Sequence, residues 1–113
     1  MEFEPNETFD LVFIDTWHVY GQLKRELARF APMTNRFIVL HDTQVDGELG
    51  ETLRVGENAN AQSVTTGIPL EEIICGVTKA VTEFLTVQGE SWEMKHQFAN
   101  NNGLTVLQRR QHA

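Results

Sequence analysis

Four side chains able to move protons or hold cations stand just past two apolar runs of this sequence. Phe9-Asp10-Leu11-Val12-Phe13-Ile14 leads into Asp15, with His18 three residues on; Arg36-Phe37-Ile38-Val39-Leu40 leads into His41 and Asp42. An imidazole titrates near neutral pH, so a histidine can serve as acid or base. Open α/β sheets bind ligands outside the carboxyl ends of their strands. If both runs are parallel strands, Asp15, His18, His41 and Asp42 share one rim. The same residues also have structural readings. Asp15 can cap the helix that follows, Asp42 can cap the next turn, and His41 can be a buried histidine with its hydrogen bonds satisfied. An active-site rim with a metal and one without both stay open from the residues alone.

The elements that must position this rim follow from periodicity. Residues 11–14 show no polar alternation, which predicts a central parallel strand covered on both faces. Tyr20, Leu23, Leu27 and Phe30 form one helical stripe, with Lys24, Arg25, Glu26 and Arg29 toward solvent. Thr16 or His18 is a candidate cap for its start, and Pro32 stops it near Ala31. A second strand over 36–41 completes a βαβ unit with a right-handed crossover. Residues 43–66 are punctuated by Gly47, Gly50, Gly56, Asn58, Asn60 and Ser63 and sparse in apolar residues, and read as a mobile flap beside the strand ends or a solvated insertion. A second helix follows Pro69, with Ile73, Val77, Ala80, Val81, Phe84 and Leu85 inward; Gly76 interrupts it and Gly89 lies past its end. Trp92, Met94, His96 and Phe98 alternate with polar residues as a half-buried strand. Asn100-Asn101-Asn102-Gly103 reads as a turn, and Leu104 to Arg109 as the return strand. The expected organisation is a lead-in over 1–8, one α/β half-domain over 9–110 with the flexible loop 43–66, and a tail over 111–113. Trp17 and Tyr20 read as core or pocket lining, His96 as packed, and Cys75 as an inert buried thiol in a helical stretch.

Composition narrows the function classes. The chain of 113 residues carries 9 Lys+Arg against 16 Asp+Glu, a net charge of −7. That deficit of cations argues against a nucleic-acid partner. No apolar run approaches the roughly 20 residues of a membrane span. The acidic opening Met1 to Pro5 is unlike a secretory or mitochondrial leader, and the single cysteine fits a reducing compartment; a cytoplasmic location is expected.

The segments FDLVFIDTWHVYGQLKRELARFAP, RFIVLHDT, GVTKAVTEFL and FANNNGLTVLQR together resemble the C-terminal half of class I S-adenosylmethionine-dependent methyltransferases, closest to small-molecule and sugar O-methyltransferase-like members. The resemblance runs from about Phe9 to Arg109. It implies a partial Rossmann-like sheet, β-α-β-loop-α-β-β, with two parallel strands, a C-terminal hairpin, and strand order first, second, fourth, third with the last strand antiparallel. The family's glycine-rich cofactor loop has no counterpart, because the chain holds no Gly-x-Gly. A glycine turn is what lets backbone amides approach such a cofactor. S-adenosylmethionine is therefore implied as cofactor only together with the missing half. The chain is expected to be a fragment, a separately encoded half, or one member of a completed sheet.

"FIDTWHVY" looks like the fourth-strand motif of the metal-dependent catechol-type members of that family. By this resemblance Asp15 and Asp42 would be metal ligands, with His41 a third. His18 would take the proton of the acceptor hydroxyl, beside Asp15. Magnesium prefers oxygen ligands, so a histidine in the shell also admits manganese or zinc. The implied acceptor is a small-molecule or sugar hydroxyl. The open edge of the first strand points to a homodimer or a complementing N-terminal half as partner. The alternative is a non-catalytic, truncated methyltransferase-like module that oligomerises or binds a partner through that edge.

Overall fold

A computed structural model describes residues 7–98 and 103–110. The elements are β1 (Phe9–Ile14), α1 (Tyr20–Phe30), a 3-10 turn (Ala31–Met33), β2 (Thr34–His41), α2 (Glu51–Val55), α3 (Ala59–Thr66), α4 (Leu70–Ile73), α5 (Val77–Val87), β3 (Trp92–Phe98) and β4 (Leu104–Arg109). They form a small α/β domain with one mixed sheet in the order β1-β2-β4-β3. β1 and β2 are parallel; β4 runs antiparallel to both of its neighbours. Val12 stands beside Ile38 and Ile14 beside Leu40. With parallel strands in that register, the carboxyl ends of β1 and β2 lie level, and the residues that follow them meet.

The core occupies one face of the sheet. Ile14, Ile38, Leu40, Trp92 and Leu107 from the strands pack with Tyr20, Leu23 and Leu27 of α1 and Val77, Ala80 and Val81 of α5. Each large side chain so removed from water contributes about 1.5–3 kcal/mol. The stripe expected on α1 is the buried one, and the helix gives way at Ala31 to a turn holding Pro32.

Several expectations are corrected. β1 is not covered on both faces: it is an edge strand, and Leu11 and Phe13 on the face away from α1 and α5 are 55% and 53% exposed. An apolar run signals a strand but cannot say which of its faces is occupied. Residues 43–66 are not one irregular loop, since α2 and α3 lie within them. Of the residues that suggested a loop, Gly50, Gly56 and Asn58 are helix ends. Gly56 and Gly67, each at φ 76°, are left-handed C-caps, and the side chain of Asn58 accepts from the Ala61 amide at 3.0 Å as an N-cap. Helix α1 has Val19 at its N-cap with no side-chain cap, so neither Thr16 nor His18 serves there. In β3 a bulge falls between Met94 and His96. The extra residue turns His96 and Phe98 away from the covered face, and only Trp92 of that strand is buried. His96 is exposed and stacks on Phe98. Cys75 is half-buried in the link between α4 and α5. The expected turn at Asn100 to Asn102 and the expected tail lie outside the described residues. Among the described residues no helix is long and apolar enough to cross a membrane.

Candidate metal centre

Asp15 is the first residue past β1, and the short link to α1 carries His18 back over the strand end. His41 closes β2. Asp42 follows in the left-handed region at φ 56°, a conformation that Asp tolerates at modest cost. From there a turn closes with the Asp46 amide donating to the Asp42 carbonyl at 3.1 Å. Helix α2 then lies against the β1–α1 link: the Glu51 amide donates to the His18 carbonyl at 2.8 Å, and Trp17 Nε1 donates to Thr52 Oγ1 at 3.0 Å. A buried Thr105 to Thr43 hydroxyl bond of 2.9 Å ties the same turn to β4.

The structure brings together all four residues expected on the rim. His18 Nε2 lies 3.0 Å from Asp15 Oδ1. His41 Nδ1 lies 3.4 Å from Asp15 Oδ1 and 3.2 Å from Asp42 Oδ1. Asp15 is a histidine partner and not a helix cap. His41 is not a satisfied core histidine, because its Nδ1 is buried with no hydrogen-bond partner. Two further acids, which the sequence did not single out, complete the cluster. His18 Nδ1 stands 3.4 Å from Asp42 Oδ2, 3.3 Å from Asp46 Oδ2 and 3.2 Å from Glu51 Oε1. Asp46 is fully buried and is gripped by Arg54 through Nε and Nη2. The sequence signal for Asp46 was its spacing of four from Asp42 across one tight turn; Glu51 lies on a helix read as loop.

The electrostatics are one-sided. Asp15, Asp42, Asp46 and Glu51 face a single guanidinium, Arg54. Three polar atoms in this knot, His18 Nδ1, His41 Nδ1 and Asp42 Oδ1, are buried without a partner. Buried polar atoms are nearly always paired, so three orphans in one place need an explanation. Imidazole nitrogens and carboxylate oxygens are the ligands of borderline divalent cations. Asp15, His41 and Asp42 each offer one such atom, all within 4.8 Å of one another, and so do His18, Asp42 and Asp46. The donor set therefore fits a divalent metal. The link from β1 to α1, Asp15 to Val19, holds no glycine.

No family model, curated protein or solved structure matches the chain.

Two concavities flank these elements. A cleft of about 510 Å³ is lined by Thr16, Trp17, Glu51, Ala61, Gln62 and Thr65 among others, and so meets the cluster at Glu51. An apolar groove of about 460 Å³ runs between α1 and α5 past Tyr20, Leu27, Phe84 and Trp92, and no member of the cluster lines it. Trp17 thus lines a cleft, while Tyr20 is buried in the core with its hydroxyl donating to Glu83.

Proposed function

We propose that this chain is the acceptor-side half of a metal-dependent O-methyltransferase-like domain. A divalent cation is held by Asp15, His41 and Asp42 at the carboxyl ends of β1 and β2. The observation that carries the reading is the convergence of these three residues with His41 Nδ1 and Asp42 Oδ1 left unpaired. The imidazole favours zinc or manganese over magnesium. When bound, such a cation lowers the pKa of a hydroxyl placed against it. Asp15 is the most exposed member of the trio and is held by His18, so its carboxylate takes the proton of an acceptor hydroxyl entering from the cleft beside Trp17. The donor cofactor lies outside this chain's reach, so no transfer step is assigned to these residues alone.

Partner chemistry follows from the sheet. β1 is an unpaired edge, and Leu11 and Phe13 beside it are exposed. A complementing segment bearing a glycine-rich strand and turn would extend the sheet past β1 and cover that face. The non-catalytic reading shares this edge and differs in needing no metal.

Thermal denaturation of chelator-treated protein with zinc, manganese and magnesium tests the reading. Zinc or manganese at about a hundred times its Kd is expected to stabilise the chain by ~2.7 kcal/mol. Asp42→Asn is expected to abolish that shift and Asp15→Ala to reduce it. If no cation moves the melt, the metal reading fails and the non-catalytic one is favoured. Micromolar binding of S-adenosylmethionine to the chain alone, read by calorimetry, would overturn the assignment as a half-domain.

A further inference from the structure

The cluster contains two cation-sized gaps, and Asp42 separates them. Its Oδ1 faces His41 Nδ1, and its Oδ2 faces His18 Nδ1. We infer that the rim holds a pair of divalent cations, zinc by preference, bridged by the Asp42 carboxylate. The first position is the one proposed above, on which this inference rests. The second is formed by His18 Nδ1, Asp42 Oδ2 and Asp46 Oδ2.

Three observations carry the second position. The first is the setting of His18. Its Nε2 lies 3.0 Å from Asp15 Oδ1, and a proton held there leaves Nδ1 free to present a lone pair. That lone pair is buried among carboxylate oxygens at 3.2–3.4 Å, and none of them stands in hydrogen-bond geometry with it. A proton on Nδ1 would find no aligned acceptor, whereas a cation between the nitrogen and the oxygens satisfies all of them at once. Asp15 then serves as the outer partner that fixes the tautomer of a ligating histidine.

The second observation is spacing. Ligands about 2.0–2.1 Å from a tetrahedral zinc lie about 3.3 Å from one another. The adjacent ligands of an octahedral magnesium at about 2.0–2.1 Å lie only about 2.9 Å apart. Around His18 Nδ1 the oxygens of Asp42 and Asp46 stand at 3.4 and 3.3 Å, and around His41 Nδ1 those of Asp15 and Asp42 stand at 3.4 and 3.2 Å. In both gaps these nitrogen-to-oxygen distances match the zinc spacing. A shared carboxylate between two such gaps is also how paired metals are held about 3.5–4 Å apart.

The third observation is how the carboxylates are aimed. Arg54 grips Asp46 mainly through Oδ1, and Oδ2 is the oxygen turned to His18. The left-handed backbone at Asp42 fixes its carboxylate between the two histidines.

Equilibrium dialysis of the chelator-treated chain against zinc, with metal counted per chain, tests the inference. Two equivalents are expected for the parent. His41→Ala and Asp46→Asn are each expected to retain one, and Asp42→Ala none. Asp46 is fully buried, so its variant can fail to fold; the parent's stoichiometry decides without it. One equivalent in the parent overturns the paired site and leaves the single-metal reading standing. None overturns both. Two equivalents that survive Asp42→Ala lie elsewhere on the chain and overturn the bridged pair.

Discussion

The two ends of the parallel strands solve the same polar problem in opposite ways. At the amino end, Arg109 of β4 reaches across the sheet. Its Nε donates to the Thr34 carbonyl at 2.8 Å, its Nη2 donates to the Ala31 carbonyl at 2.7 Å, and the guanidinium lies 4.6 Å from the centre of the Trp92 ring. The Thr34 hydroxyl donates to the Phe30 carbonyl at 2.7 Å. Each of these polar groups is matched, and the end of the strand is sealed. At the carboxyl end, six ionisable side chains crowd together, and three of their buried atoms have no partner. A folded chain gains from the first arrangement and is burdened by the second. The contrast separates groups that hold the sheet from groups whose buried polar atoms are left unmatched.

The sharpest way to break that contrast is to remove one residue from each end. Arg109→Ala takes a donor from two carbonyls, of which that of Ala31 keeps the Thr34 amide, and uncovers Trp92. It is expected to cost about 2–3 kcal/mol in urea denaturation while leaving any zinc-induced shift intact. Asp42→Asn should behave oppositely. Asn accepts the left-handed backbone as readily as Asp, and the change removes one of four crowded carboxylates. In chelator-treated protein its cost is expected to stay within about 0.5 kcal/mol, with the metal response gone. Equal losses for the two variants without metal would mean that both ends are structural.

The same contrast explains what could be read from the residues. β1 and β2 were legible as continuous apolar runs, β3 by its alternation, and the two long helices because their apolar residues repeat at 3.6 and meet one core. Asp15, His18, His41 and Asp42 were legible because a parallel pair must bring its carboxyl ends together, and the register of Ile14 beside Leu40 does so. Asp46 and Glu51 escaped because they lie where periodicity is weak. Helix α2 is five residues long, and α3 buries no residue. These short helices are held by caps and by tertiary bonds such as Trp17 to Thr52, which leave no pattern in the sequence. His96 was misread because a bulge, invisible in the alternation, changes which face follows it.

A second comparison lies between the two faces of the sheet. Leu40 is buried under α1 and α5, whereas Leu11 and Phe13 stand on the open side. If that side is bare in the isolated chain, Phe13→Ser changes stability by no more than about 0.5 kcal/mol. The variant should also lower any self-association measured by light scattering, because such an exposed apolar edge invites pairing. A loss of about 2 kcal/mol that grows with protein concentration would instead show that a second copy already covers the face.

The smallest expected effect tests a polar pair of the matched kind. Tyr20 donates to both oxygens of Glu83, with Lys24 and Lys79 near its ring face. The hydrogen bond to Glu83 first, and burial second, push the phenol from its ordinary 10.0 up to about 12. Between those values the unfolded chain has already released this proton while the folded chain retains it. Raising the pH through that window therefore favours unfolding, and the stabilising contribution present below pH 10 disappears by about 12. Lysines titrate in the same range, so the measurement is the difference between parent and Tyr20→Phe in chemical denaturation from pH 9 to 12. The parent should lose stability faster than the variant across the upper part of that range. Parallel curves would mean that the Tyr20 hydroxyl is free of Glu83 in solution, and that this pair does not belong with Arg109 among the contacts that hold the sheet and its helices together.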